Sequence, residues 1–299
     1  MNMYRAHFGL REPPFGLTPD TAFAFACTPH QEALNVLLVA IENGEGFIKI
    51  VGEVGLGKTL LCRRFLATLG AGYITAYFPN PMLDPRGLLL ALAEELRVPV
   101  DREADQHALI KTLNHALLDF ARCGKKVVVC LDEAQAIPAQ TLEALRLLSN
   151  LETEKRKLLL VVLFGQPELD AKLSQPDVRQ LLQRITFHYN LSALSAKETE
   201  YYVAHRLRVA GYVGDRLFDR GAAAALYRAT RGVPRLINIV AHKAMLAAYG
   251  EGSHYVAARH VRRAVKDTPA AAQTARWPFA AVTVAVLAVA LAAFWYALT

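Results

Sequence analysis

Cysteine is scarce in this chain of 299 residues, and what there is lies scattered. Cys27, Cys62, Cys123 and Cys130 form no C-x-x-C pair, which argues against a disulfide framework or a thiolate metal site. They read as reduced, buried small hydrophobes. The nine histidines show no ligand spacing, and no Ser-His-Asp or Cys-His arrangement can be argued. The opening Met-Asn-Met-Tyr-Arg-Ala-His-Phe-Gly lacks an apolar h-region, so no signal peptide is expected there. Internal repeats are missing, as is low complexity outside one alanine-rich stretch near the C-terminus. The formal net charge is +7, but Arg259, Arg262, Arg263, Lys266 and Arg276 account for five positive charges in one cluster. The excess therefore gives little support to nucleic-acid binding.

What the chain does have is apolar residues: 53%, against a globular norm of roughly 45–50%. Much of the excess sits in Trp277 to Leu298, a run of 22 residues without a charge. About 20 apolar residues suffice to cross the hydrocarbon core of a bilayer. Trp277 and Phe279 stand at one end and Phe294, Trp295 and Tyr296 at the other, as interface belts do. The run is expected to be a single C-terminal transmembrane helix. The basic cluster precedes it and only Thr299 follows, so the body is expected in the cytoplasm, at the inner membrane.

A second feature is Gly52-Glu53-Val54-Gly55-Leu56-Gly57-Lys58-Thr59, a full match to G-x-x-x-x-G-K-[ST]. Phe47–Val51 before it reads as a short buried strand, and the stretch from Leu60 onward has apolar residues at helical spacing. Strand, glycine-rich loop and helix make a phosphate cradle: backbone N–H groups converge on one anion and the helix start adds partial positive charge. Residues 52–60 are thus expected to bind a nucleoside triphosphate, ATP, with Lys58 on the β- and γ-phosphates and Thr59 on Mg²⁺.

Around this loop, apolar strands are expected at Tyr73–Phe78, Lys126–Leu131, Leu158–Phe164 and Arg184–Leu191. Helices are expected at His30–Glu42, Arg86–Leu96, Gln106–Arg122 and Thr141–Leu151. Continuous apolar runs suit a parallel sheet covered on both faces, giving a three-layer α/β sandwich. The first 30 residues, rich in Pro and Phe, are expected to lie against a domain surface. From Ser195 the strand signal ends. Helices are expected at 196–210, 218–230, 234–249 and 255–266, with a capping box at Ser195 and Glu198 and Pro234 at an early helical position. The domains are accordingly expected at 1–192 (α/β with an N-terminal extension), 193–268 (helical lid), 269–276 (linker) and 277–298 (span).

Asp132 closes the Lys126–Leu131 strand, where a carboxylate holds Mg²⁺ with Thr59. Glu133 follows and is placed to orient and deprotonate the attacking water. Gln166, in Gly165-Gln166-Pro167 after the next strand, is a candidate contact to the γ-phosphate or the water. Arg184, in Gln183-Arg184-Ile185, is a candidate finger reaching a neighbouring subunit's γ-phosphate, with Arg179 the alternative. Arg235, in Gly232-Val233-Pro234-Arg235, is a candidate to fold back on the phosphates from the lid.

The stretch Phe8–Asp20 (FGLREPPFGLTPD) resembles the opening of ExeA/GspA-type secretion ATPases and pilus-associated relatives such as MshM. The resemblance continues through GEVGLGKT, LDEAQ (Leu131–Gln135), LFGQPEL (Leu163–Leu169), QRI (Gln183–Ile185) and RGVPRLIN (Arg231–Asn238), over roughly residues 4–266. It implies an AAA+ fold with sensor 1 near Gln166, an arginine finger near Arg184, sensor 2 at Arg235, and homo-oligomers or rings. ExeA-type proteins assemble a secretin using a peptidoglycan-binding domain after the span. This sequence stops one residue past the span, so a partner subunit is expected to supply that contact. The expected function is a membrane-anchored ATPase for a type II secretion or type IV (MSHA-like) pilus system. The alternatives are a DNA-acting ATPase of the transposition-regulator type, or a nucleotide-gated scaffold with slow turnover.

Overall fold

The computed structural model describes residues 3–18, 20–150, 152–153 and 156–272. In chain order the elements are α1 (Met3–His7), α2 (Thr28–Glu42), β1 (Phe47–Val51), α3 (Lys58–Thr68), β2 (Tyr73–Phe78), α4 (Pro85–Glu95), α5 (Gln106–Arg122) and β3 (Lys126–Leu131). There follow α6 (Ala139–Leu148), a two-rung hairpin of β4 (Glu152–Thr153) and β5 (Arg156–Lys157), β6 (Leu159–Gly165), α7 (Glu168–Leu173), α8 (Arg179–Leu182) and β7 (Ile185–Asn190). The last elements among the described residues are α9 (Ala196–Val209), α10 (Arg220–Thr230), α11 (Pro234–Gly250) and α12 (Ala258–Lys266).

Two compact units result. One is Pro19–Ser192; the other joins the N-terminal segment through Thr18 to the described residues from Ala193 onward. The first holds a five-stranded parallel sheet in the order β2-β3-β6-β1-β7. β3 and β6 are central, and every residue of β6 is buried, the reason both strands read as unbroken apolar runs. β7, at an edge, alternates half-buried and exposed positions. Val127, Val129, Leu131, Leu159, Val161 and Leu163 point to one face and join the core of α4, α5 and α6. The alternate residues face α2 and α3. The parallel α/β layers therefore form as the apolar runs imply.

Four helix starts are set by side-chain caps. Asp84 accepts from the Gly87 N–H and Asp105 from that of Ala108; in the helical unit Asp219 accepts from Ala222. The Ser195–Glu198 capping box forms in both directions at α9, and Pro234 occupies the first turn of α11. Gly232 has φ +77°, and a Cβ there would stand 1.8 Å from the Leu194 carbonyl oxygen. Only glycine fits that crossing between α10 and α11.

Two expectations differ from the structure. The N-terminal extension packs with the helical unit, not the sheet: Arg206, 7% exposed, donates through Nε to the Pro14 carbonyl at 2.5 Å, and the Arg11 N–H donates to Ala210. Phe8, Leu10 and Phe15 are buried in that unit, where four amphipathic helices alone leave apolar surface to cover. Cys123 is exposed, because it follows the last turn of α5, where the chain turns back through Gly124. Cys27, Cys62 and Cys130 are buried as expected. Among the described residues no helix is long and apolar enough to cross a membrane; Trp277–Leu298 lies outside them.

Candidate nucleotide site

The loop from Gly52 to Thr59 leaves the carboxyl end of β1 beside two other strand ends. The Gly52 N–H donates to the Gly165 carbonyl at 3.1 Å, tying the loop's start to the end of β6. Gly55 and Gly57 have φ +86° and +91°, so the backbone curls into the left-handed region before α3 begins at Lys58. Lys58 is 5% exposed, and its Nζ donates to the Gly52 and Glu53 carbonyls at 2.7 and 3.1 Å. Burial pushes its pKa down, while the Glu133 and Asp132 charges act to keep it protonated. The cation is thus held inside the curl of its own loop, with the first N–H groups of α3 beside it.

Asp132 is 2% exposed and closes β3 directly opposite α3. Its Oδ2 accepts from the Thr59 hydroxyl at 2.5 Å and from the Tyr77 hydroxyl at 3.4 Å, and its Oδ1 accepts from the Glu133 N–H at 3.0 Å. Burial raises its pKa against the opposing pull of the Thr59 and Glu133 hydrogen bonds. Burial also pushes the Tyr77 phenol up to about 12, with the Asp132 charge adding to it. A buried carboxylate touching a hydroxyl is an oxygen donor pair that suits Mg²⁺, which takes one or two protein oxygens and completes its shell with phosphate and water. Among the described residues no group of three or more His, Cys, Asp or Glu is placed to hold a metal alone. The pair fits a cation that arrives with a nucleotide.

Glu133 takes the left-handed conformation, φ +52°, rare for a side chain of this size. The twist turns its carboxylate toward the end of β6, the strand between β3 and β1. There its Oε2 accepts from Gln135 Nε2 at 2.6 Å and from Gln166 Nε2 at 2.8 Å. Burial raises its pKa, but the two amide hydrogen bonds and the Lys58 charge outweigh it, and Glu133 stays below the usual carboxylate range. An ionised carboxylate, a buried ammonium and a hydroxyl–carboxylate pair therefore meet at three adjacent strand ends. That arrangement can grip a triphosphate and aim a water at it.

Of the expected site residues, Gly52 to Leu60, Asp132, Glu133 and Gln166 come together. Arg184 does not join them: it precedes β7, whose first residue pairs with Phe47 at the start of β1. A strand's length, about 3.3 Å per residue, separates it from its own loop. Its guanidinium donates to Ser149 Oγ at 3.4 Å, while Arg179 is exposed on α8. Arg235 is exposed on the first turn of α11 in the helical unit. Sequence reasoning missed His30, Tyr77 and Gln135. His30 shares a 2.8 Å hydrogen bond with the Leu56 carbonyl and lies 3.2 Å from where a Gly57 Cβ would be. Only Gln135 carried a signal, its place two residues after Glu133.

A family described as an AAA domain matches residues 41–173. The chain is 44% identical over 254 residues to general secretion pathway protein A of Aeromonas hydrophila, covering 85% of this chain and 46% of that protein. It therefore spans about half the length of that curated relative. Among solved structures, Cdc6p from Pyrobaculum aerophilum superposes with a TM-score of 0.62 at 16% identity, covering 83% of this chain and 70% of that one. The ORC2 protein of Aeropyrum pernix, in its ADPNP–ADP complexes, does so with 0.58 at 17%, covering 84% and 72%. Those two likenesses concern the fold.

Proposed function

We propose that this chain, similar over 85% of its length to general secretion pathway protein A and matched by an AAA domain over residues 41–173, is a membrane-anchored ATPase serving assembly of a type II secretion or type IV (MSHA-like) pilus system. One observation carries the hydrolytic part: Glu133, ionised and fixed by two amides, stands next to the Thr59–Asp132 pair and the buried Lys58. Lys58 leaves the Gly52 and Glu53 carbonyls for the β- and γ-phosphates, whose charge repays the desolvation of its ammonium. Thr59 and Asp132 hold Mg²⁺, which when bound neutralises charge on the phosphate oxygens. Glu133 accepts the proton of the attacking water, and the Gln166 amide orients that water or the γ-phosphate. Arg184, remote from its own loop, serves a neighbouring copy in a homo-oligomer; Arg179 is the alternative. Arg235 couples nucleotide state to the helical lid. The 277–298 run anchors the body to the inner face of the cytoplasmic membrane, and secretion or pilus assembly subunits are its partners.

Lys58→Ala and Glu133→Gln test this reading together. Lys58→Ala is expected to abolish nucleotide binding and pilus or secretion function. Glu133→Gln is expected to keep binding while single-turnover hydrolysis falls at least about 10²-fold. Lys58→Ala cells that retain both hydrolysis and pathway function would sink the proposal. Equal single-turnover rates in Glu133→Gln and wild type would favour a nucleotide-gated scaffold instead.

A further inference from the structure

The carboxylate of Glu133 is held by two amides, and they are not equivalent. Gln166 donates once, from Nε2 to Glu133 Oε2 at 2.8 Å. Gln135 makes a bridge: its Nε2 donates to the same Oε2 at 2.6 Å, while its Oε1 accepts the backbone N–H of Gln166 at 3.0 Å. The turn bearing Gln135 is itself pinned, since Lys172 Nζ donates to the Gln135 and Ile137 carbonyls at 2.5 and 2.6 Å. Two N–H donors fill the lone pairs of Oε2. Oε1 makes no hydrogen bond among the described residues, and it is left to receive a proton.

If the Gln166 amide turns to a phosphate or water, Gln135 is the donor that still fixes Oε2. Its hold on the Gln166 backbone also keeps the two strand ends in register during that turn. We infer that Gln135 is a positioning residue, whose side-chain bridge aims Oε1 of Glu133 at the attacking water. The inference rests on the reading of Glu133 as the group that takes the water's proton. Left-handed backbone at Glu133 points the same way: a carboxylate on a strained turn needs an external restraint to keep one orientation.

Gln135→Met keeps the side chain's length and removes both halves of the bridge; Gln135→Glu keeps an acceptor for the Gln166 N–H and removes the donor. Each is made in the full chain and compared with wild type for kcat, KM, affinity for a fluorescent ATP analogue, and melting temperature. Both variants are expected to lose about 10- to 100-fold in kcat, with KM and analogue affinity within about twofold. A kcat within about twofold of wild type in either variant overturns the inference, as does a loss matched by weaker analogue binding. If Gln135→Met fails to fold, Gln135→Glu decides alone. Failure of the parent reading looks different: wild type then binds the analogue without turnover, or Glu133→Gln hydrolyses normally, and the inference falls with it. Full activity in Gln135→Met beside an inactive Glu133→Gln removes the inference only.

Discussion

A phosphate loop that must curl through two left-handed glycines is held from outside as well as within. His30, on the first turn of α2, shares a hydrogen bond with the Leu56 carbonyl, and its ring would crowd a Cβ at Gly57 at 3.2 Å. The loop's last turn is thus braced by a helix that begins about 30 residues earlier. A hydrogen bond of this kind contributes about 0.5–1.5 kcal/mol. His30→Ala is therefore expected to weaken nucleotide affinity about 2- to 10-fold, since 1.4 kcal/mol is a factor of about ten. Titration with a fluorescent ATP analogue measures it, and unchanged affinity would mean the loop holds its shape alone. The loop itself was legible in the sequence because adjacent residues build it. His30 and Tyr77 were not, because each acts through a contact that exists only once strands or helices pack side by side, and Gln135 showed only its place two residues after Glu133, its bridge to Gln166 needing two strand ends to meet.

The same distinction holds for whole elements. β3 and β6 were legible because burial on both faces leaves an apolar run with nothing to interrupt it. The β4–β5 hairpin and the short α7 and α8 lack a periodic length that composition can reveal. The N-terminal segment is a different case: its alternating Phe and Leu announced a docked strap without saying on which surface. The structure supplies the surface through one buried side chain. Arg206 on α9 donates through Nε to Pro14 at 2.5 Å and through Nη1 to the Tyr202 hydroxyl at 3.0 Å; Tyr202 in turn donates to Asn238 on α11. Arg206→Met keeps the apolar stem and removes the donors, leaving the Pro14 carbonyl short of a partner at about 1–3 kcal/mol. The expected result is faster hydrogen exchange and proteolysis in residues 8–16, with the sheet unit's exchange unaltered. Protection of 8–16 equal to wild type would show that Phe8, Leu10 and Phe15 hold the strap unaided.

At the scale of the molecule, the charge distribution bears on where the protein works. Arg259, Arg262, Arg263 and Lys266 fall at i, i+3, i+4 and i+7 on α12, all exposed on one face, while His260, Val261 and Ala264 face inward. Glu251 accepts from Arg259 at 3.1 Å and approaches Arg263 at 3.8 Å, so Arg262 and Lys266 give the face much of its net charge. The uncharged run 277–298 begins eleven residues after Lys266. A basic face close to a bilayer gains about 1 kcal/mol per Lys or Arg from anionic lipid, and salt screens that gain within a Debye length of about 8 Å. The full chain is therefore expected to float with vesicles of neutral and of anionic lipid alike and to resist alkaline carbonate, as a spanning helix does. A chain cut after residue 272 is expected to float only with anionic vesicles, and to come off as salt rises. Carbonate release of the full chain would remove the anchor from the proposed function, and loss of flotation by the cut chain at low salt would remove the role of α12. Nucleotide binding by both chains controls for folding of the sheet unit, which holds the residues from Gly52 to Gln166 that form the site, and the protection of residues 8–16 against hydrogen exchange controls for the unit that carries α12.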